Sequence, residues 1–342
     1  MSTRYSARFG SYRVSDRAQD SDRLLLALLV EQSMDGLGGR CVAELSGAEH
    51  ALPQLGDAVE VKLDAGGGAV TVFTGEVTLS AATATTQRIE AQDQVARLAR
   101  VEVEAAYEDV SLDFIVKDLL QQAGARAGSV CRGPDVPFYA VHRQPRVLGQ
   151  VWRLAQACGA DLFADGEGRV HLATPDEAGS EHALRFGETI RRLDLHERVL
   201  PYDSVEVWGE GAASAKGADK AHWLSTDLSG VSAKAKVDAA GQVSTGSLGQ
   251  RPLRVRDGAL RAGAAAEASA KARMAWLAAR RIAGSIEANG APAVKVGDTL
   301  RIEKLPAAHA ASALLKQAGA LRVRGVRHTL DRESGLVTRI EI

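Results

Sequence analysis

Asp109 and Asp113, four residues apart around a predicted helix start just after Tyr107, are the first residues whose types and spacing could do chemistry. Such a carboxylate pair can in principle divide general acid and general base work. The structural reading is preferred: acidic side chains at a helix N-terminus answer its dipole and its unpaired amides. His182 and His196 stand in mixed sequence with no cysteine or carboxylate cluster to complete a metal set. Cys158, followed by Gly159, could be a nucleophile, yet it ends the apolar face of a predicted helix, where a small buried side chain is expected. His328, within Val326-Arg327-His328-Thr329-Leu330, is read as a strand surface residue. No phosphate loop, GxSxG elbow, HExxH or complete GxGxxG after a strand occurs, so no catalytic residue, metal or cofactor is assigned.

One charge feature stands out. Between Arg251 and Gly290 lie Arg251, Arg254, Arg256, Arg261, Lys271, Arg273, Arg280 and Arg281 against Asp257, Glu267 and Glu287. That excess could face an acidic partner subunit or a translocated polyanion. A solvated helix face, with Arg280 and Arg281 answering the helix C-terminus, is the simpler reading.

The rest of the composition narrows the field. The 342 residues suggest two domains or three small ones, at roughly 150 residues per domain. Basic and acidic residues, 42 against 43, cancel to a net charge of -1, so no global field draws the chain to nucleic acid or an anionic membrane. With 45% hydrophobic and 25% charged residues the chain can build a core in each domain. Aromatics at 4% leave few platforms for stacking bases or sugars, which argues against sequence-specific nucleic-acid binding. The longest apolar run, the seven residues from Leu24 to Val30, is far short of the about 20 that a membrane helix needs. The first twenty residues carry charges and no apolar stretch, so no signal peptide is expected and cytoplasmic synthesis follows. Cys41, Cys131 and Cys158 are odd in number and widely spaced, and are expected to be buried thiols.

The elements that must position these residues fall into three stretches. Strands are expected at Arg23 to Gln32, Arg40 to Leu45, Ala58 to Leu63, Ala69 to Leu79 and Gln87 to Ala91, with a hairpin turn at Asp64 through Gly68. Residues 1–92 thus form a small antiparallel β domain. From Asp93 the pattern turns helical, with a short turn from Gln94 and a helix from Leu112 to Ala123 capped by Ser111 and stopped by Gly124. A second helix runs from Val147 to Cys158, followed by the hairpin Asp161 to Ala164 and Arg169 to Ala173. Residues 93–178 form this α+β middle domain. Residues 179–342 return to strands, at Leu184 to Phe186, Ile190 to Leu195, Tyr202 to Gly209, Ser285 to Ala288, Thr299 to Leu305, Arg322 to Leu330 and Leu336 to Ile342. This stretch also holds a long exposed excursion at about 211–250 and an Ala-rich helix at about 258–282. The order β, α+β, β makes the fold mainly β, with two related β domains flanking the middle unit.

In that order the segments resemble the late control D, or baseplate hub, family of contractile phage tails, similar also to the N-terminal hub part of the valine-glycine repeat spike proteins of type VI secretion. The resemblance rests on Gly56-Asp57 with Val59-Glu60-Val61, then Val72-Phe73-Thr74-Gly75-Glu76-Val77, then Ile89 to Asp93 and Leu98. It continues through Ser111 to Leu120 with Gly124, Leu148 to Gly159, and the hairpin Leu162 to Leu172. In the last third it rests on Tyr202 to Gly209, Gly290-Ala291-Pro292-Ala293-Val294-Lys295-Val296-Gly297-Asp298, and Val323 to Asp331 with Gly335 and Thr338. The excursion at 211–250 and the basic first twenty residues have no counterpart and are expected to make system-specific contacts.

The resemblance implies a structural protein and not an enzyme. In this family two tube-like β-barrels per chain assemble as a homotrimer, giving six barrels that meet the six-fold inner tube on one side and the three-fold spike on the other. The partners implied are a separate trimeric spike protein, the inner tube protein ring and baseplate wedge proteins, within a virion or injection-system particle; no cofactor is implied. Because the chain ends within the last strand, the spike is expected as another chain. Interface candidates are an edge strand containing Leu336, Thr338 and Ile340, and the helix bearing Lys271, Arg273, Arg280 and Arg281. The alternatives are a tail-associated cell-wall hydrolase and a monomeric binding module.

Overall fold

A computed structural model describes residues 3–36, 38–47, 50–210 and 231–342. The chain opens with β1 (Arg4–Phe9) and β2 (Tyr12–Ser15), then β3 (Leu25–Ser33), β4 (Arg40–Ser46), β5 (Ala58–Asp64), β6 (Val70–Ala82) and β7 (Thr86–Gln92). Strand β5 shows why these residues make a sheet: Val59, Val61 and Leu63 point into the core while Glu60 and Lys62 between them are only half-buried. That two-residue period suits a sheet with one dry and one wet face. The N-terminal hairpin was not anticipated, because Arg4, Arg8 and Arg13 interrupt any apolar run. Yet Ala7, Phe9 and Val14 alternate inward, and β1 pairs with β5 from Arg4 opposite Asp64 to Phe9 opposite Val59.

The middle stretch runs α1 (Gln94–Leu98), β8 (Ala105–Ser111), α2 (Leu112–Gln122), β9 (Arg126–Val130), β10 (Asp135–Val141), α3 (Val147–Ala157), β11 (Asp161–Ala164) and β12 (Arg169–Ala173). Leu112, Ile115, Val116, Leu119 and Leu120 of α2 are buried together with Val147, Val151 and Leu154 of α3 in one core. Ser111 occupies the N-cap position of α2 without a side-chain capping bond. Strands β8 and β10 form a two-stranded antiparallel ribbon, and β9 lies parallel to β12 in a three-stranded sheet with β11.

The last stretch holds β13 (Glu181–Arg185), β14 (Ile190–Glu197), β15 (Ser204–Trp208), β16 (Ser232–Val237), β17 (Val243–Thr245), β18 (Pro252–Arg256) and α4 (Gly263–Ala278). It ends with β19 (Ile282–Asn289), β20 (Thr299–Glu303), α5 (Ala311–Ala318), β21 (Leu321–Arg322), β22 (Gly325–Asp331) and β23 (Gly335–Glu341). Residues 211–230 of the expected excursion lie outside the described residues. Its remainder is not an exposed loop: β16 and β17 join β15 and β18 in a four-stranded sheet, and Ala235 is buried beneath α4 with Ala266, Ala270 and Met274. Small side chains and lysines hid this segment from an apolar-periodicity reading. Helix α4 is shorter than expected, because a turn with the Leu260 amide on the Asp257 carbonyl precedes it.

The molecule is mainly β, organised by one large curled sheet. Its eleven strands run in the order β14-β19-β23-β22-β3-β4-β7-β6-β5-β1-β2. The first and last stretches of the chain meet at its centre, where β22 pairs with β3 from Gly325 opposite Ser33 to Asp331 opposite Ala27. Strand β23 is therefore not an edge: it is hydrogen-bonded to β22 on one side and β19 on the other. Leu336, Thr338 and Ile340 are buried in it.

His328 is a second correction. Val326, His328 and Leu330 are spaced by two, so a histidine between inward apolar residues shares their face. It is 4% exposed, and its Nδ1 lies 3.0 Å from Thr338 Oγ1. Burial depresses its pKa to about 4 from the ordinary 6.5. Unfolded chains take up this proton below pH 6.5 and the folded protein does not until about 4, so the stability it contributes is complete above pH 6.5 and lost progressively down to pH 4. Between pH 7.5 and 4.5, denaturation should show the native protein losing about 2–3 kcal/mol more than a His328→Gln variant. Equal losses in the two proteins would contradict a buried neutral imidazole.

Candidate functional site

Most of the residues singled out for chemistry are held by partners of their own. Asp109 is exposed at a left-handed φ of 50°. Asp113 sits in the first turn of α2 with Lys117 Nζ donating to it at 3.0 Å. Burial raises the Asp113 pKa, but hydrogen bonds from Ser111 and Lys117 outweigh it and leave the carboxyl below its ordinary value. It is an ionised helix-start carboxylate and does not carry a proton to donate near neutrality. His182 Nε2 is 2.8 Å from Asp298 Oδ2, while His196 lies exposed on the outer strand β14. Cys41, Cys131 and Cys158 are free and buried. The hydrogen bond to Cys131 and burial both push the Cys158 thiol far above its ordinary pKa, which leaves no thiolate to attack. Among the described residues, no group of three or more His, Cys, Asp or Glu could hold a metal ion.

What the fold does assemble is a buried charge junction where its parts meet. Asp161 opens β11 directly after the turn that ends α3, and all four residues of that strand are buried. Its carboxylate accepts from Arg280 Nη2 and Trp276 Nε1, each at 2.8 Å, and from both terminal nitrogens of Arg324 at 3.2 Å. Arg324, between β21 and β22, also donates to Asp35 at 2.7 and 3.0 Å, and Asp35 follows β3. The Arg280 guanidinium lies 3.3 Å from the Trp276 ring centroid. Burial raises the Asp161 pKa, but the charges and hydrogen bonds of Arg324 and Arg280 outweigh it, so both Asp161 and Asp35 stay ionised. Middle unit, large sheet and α4 are thus tied at one point.

Two turns in the separate β regions repeat each other. Gly56 and Gly297 have φ of +89° and +92°, a left-handed conformation that glycine adopts without strain. In each, the next aspartate accepts the amide three residues back at 2.9 Å, Gln54 to Asp57 Oδ2 and Lys295 to Asp298 Oδ2. A strand follows at once, β5 or β20. Asp298 additionally takes the Ser180 amide and His182, fixing β13 beside β20.

On the wet face of the large sheet a row of opposed charges crosses the strands in register. Arg192 faces Glu287, Glu287 faces Arg339, Arg339 faces Arg327, Arg327 faces Glu31, and Glu31 faces Arg40. The like-charged pair Arg327 and Arg339 is relieved by Glu31, which lies 2.6 Å from Arg327 and 2.9 Å from Arg40.

The anticipated interface residues are mostly structural. Arg273 donates to Ser269 and Asp257, Arg280 belongs to the junction, and Arg281 pairs with Glu197 at 2.6 Å. Of that helix set Lys271 is exposed, and Leu336, Thr338 and Ile340 are core residues. Sequence reading missed Asp161 and Arg324, and no local signal marks them, because Arg280, Trp276 and Asp35 reach them from other elements.

No protein-family model matches the chain, and no curated protein matches it. Solved structures do. A 43 kDa tail protein of prophage MuSo2 from Shewanella oneidensis is 13% identical, with a TM-score of 0.66 over 99% of this chain and 98% of that one. A tail protein from Neisseria meningitidis MC58 is also 13% identical, with a TM-score of 0.66 over 100% and 96%. The c3393 protein of E. coli, a component of the type VI secretion system with structural similarity to bacteriophage T4 tail proteins, is 12% identical with a TM-score of 0.57 over 95% and 74%. The chain has the fold of these tail proteins along essentially its whole length.

Proposed function

We propose that this chain is the baseplate hub of a contractile tail or injection system, a homotrimer that joins a three-fold spike to a six-fold inner tube and seeds assembly of that tube. The observation that carries this reading is the end-to-end match with two tail proteins, 98% and 96% of whose lengths are covered. The repeated Gly-Asp turns at 56–57 and 297–298 support it from within, because two related β units per chain turn three copies into six. On this reading residues 1–92 and 179–342 supply the two tube-like barrels and 93–178 the middle domain. Partners are the spike, the first tube ring and the wedge proteins, and the role is mechanical, without catalysis.

The wet face of the curled sheet is the surface assigned to the lumen. The row across it carries Arg40, Arg192, Arg327 and Arg339 against Glu31 and Glu287, an excess of positive charge facing whatever passes. Heterologous contacts between copies close after three, covering the outer strands β14 and β2 that would otherwise invite uncontrolled pairing. Native mass measurement, of the chain alone and mixed with a trimeric spike protein, should report three copies. A stable monomer under both conditions would refute the assignment.

A further inference from the structure

We propose that the outer edge of β18 is a docking site for an extended segment of a partner protein, one that carries an apolar side chain between two acidic ones. Strand β18 ends the sheet β17-β16-β15-β18, and β15 is its one strand neighbour among the described residues. The Arg251 carbonyl accepts the Asp203 amide, and the Asp257 amide donates to the Trp208 carbonyl. With the two-residue period of a strand, Arg251, Leu253, Val255 and Asp257 therefore turn their backbone groups to β15. The amides of Arg254 and Arg256, and the carbonyls of Pro252, Arg254 and Arg256, point away from the sheet, and no described residue pairs with them. Such a row of open groups is what a strand from another chain completes.

The two faces of that edge select the occupant. On one face Leu253 and Val255 pack with Val205, Val207 and α4. Beside them Gln156, Gly159, Trp276 and Leu277 complete a cavity of about 260 Å³ between β18, α4 and the end of α3. Its one charged lining residue, Arg273, is held by Asp257, so the space suits an apolar side chain. On the other face Arg254 and Arg256 stand exposed. Arg254 shares Glu206 with Lys234 and keeps 66% of its side chain exposed, and Arg256 has no ion pair among the described residues. The register sets Lys234 and Lys236 on this same face, so it carries four cations against the single carboxylate of Glu206. Two arginines two residues apart, with the cavity beneath the residue between them, call for acidic, apolar and acidic side chains in succession on the added strand. A basic strand, or this edge in a second copy, is repelled.

The test is fluorescence anisotropy of a labelled, end-capped peptide, threonine-glutamate-leucine-glutamate-threonine, titrated with the whole protein. Saturable binding is expected. Methylating the peptide's backbone nitrogens removes its main-chain donors and should weaken binding by about tenfold or more. Serine in place of the leucine should weaken it by a similar factor, about tenfold, because the cavity then gains no apolar group. Arg256→Glu changes an exposed side chain and should lower affinity for the acidic peptide while raising it for the same peptide with lysines in place of glutamates. No saturable binding to the native protein would overturn the proposal. Binding indifferent to backbone methylation and to loss of the leucine would overturn it too, since charge attraction alone would then account for it.

Discussion

Replacing Asp161 with alanine is expected to destabilise the protein by about 3–5 kcal/mol, the largest effect of any single side-chain truncation at the junction. The carboxylate is 2% exposed and compensates Arg280 and Arg324, themselves 19% and 9% exposed, with Arg322 close by. Removing it leaves these guanidiniums in a dry site with Asp35 as the remaining anion, and it strands the Trp276 N–H. Most of the loss is desolvation no longer repaid, not the worth of a single bond. Arg40→Ala supplies the contrast: its pair with Glu31 is 58% exposed on the arginine side, so the cost should stay below about 1 kcal/mol. Because the Asp161 pKa is held below its ordinary value, this stability is present above the usual carboxylate range and is lost as pH falls through the lowered pKa. Denaturation midpoints that fall equally for the two variants would contradict the junction.

Gly159→Ala is expected to cost about 2–4 kcal/mol, by two additive causes. Gly159 has φ of +60°, and a Cβ there would stand 2.3 Å from the Ala272 carbonyl oxygen of α4. The backbone term can be measured separately. Gly124, which ends α2, has φ of +69° with its nearest neighbour, Arg97 Nη2, at 3.6 Å, so Gly124→Ala pays the conformational cost without the collision. The excess of the first variant over the second, about 1–3 kcal/mol, reports how closely α4 is seated on the α3–β11 turn. Matching losses would mean that the helix can back away freely.

Both effects lie at contacts that local sequence could not announce. Helices α2 and α3 were legible because Leu112, Ile115, Val116, Leu119 and Leu120, or Val147, Val151 and Leu154, recur at the helical period within one segment. The Asp64 to Gly68 hairpin was legible for the same local reason. Strand β23 was misplaced because its two neighbours are a matter of topology: nothing in Leu336 to Ile340 says that β19 will pair beside it while β22 carries it on to β3. Arg273 and Arg280 were counted as a solvated basic face, since a charge tally cannot see that Asp257 and Asp161 arrive from other elements. The resemblance reached the fold where periodicity did not, because it drew on the order of many weak motifs. The turns at Gly56-Asp57 and Gly297-Asp298, legible as motifs, turned out to share one hydrogen-bond pattern.

The most direct test of the hub assignment is electron microscopy of the chain together with a trimeric spike protein, with the particles classified end-on. A three-fold ring carrying six peripheral lobes is the expected result, one lobe for each of the two β units in three copies. Single featureless particles that never join the spike would contradict the account.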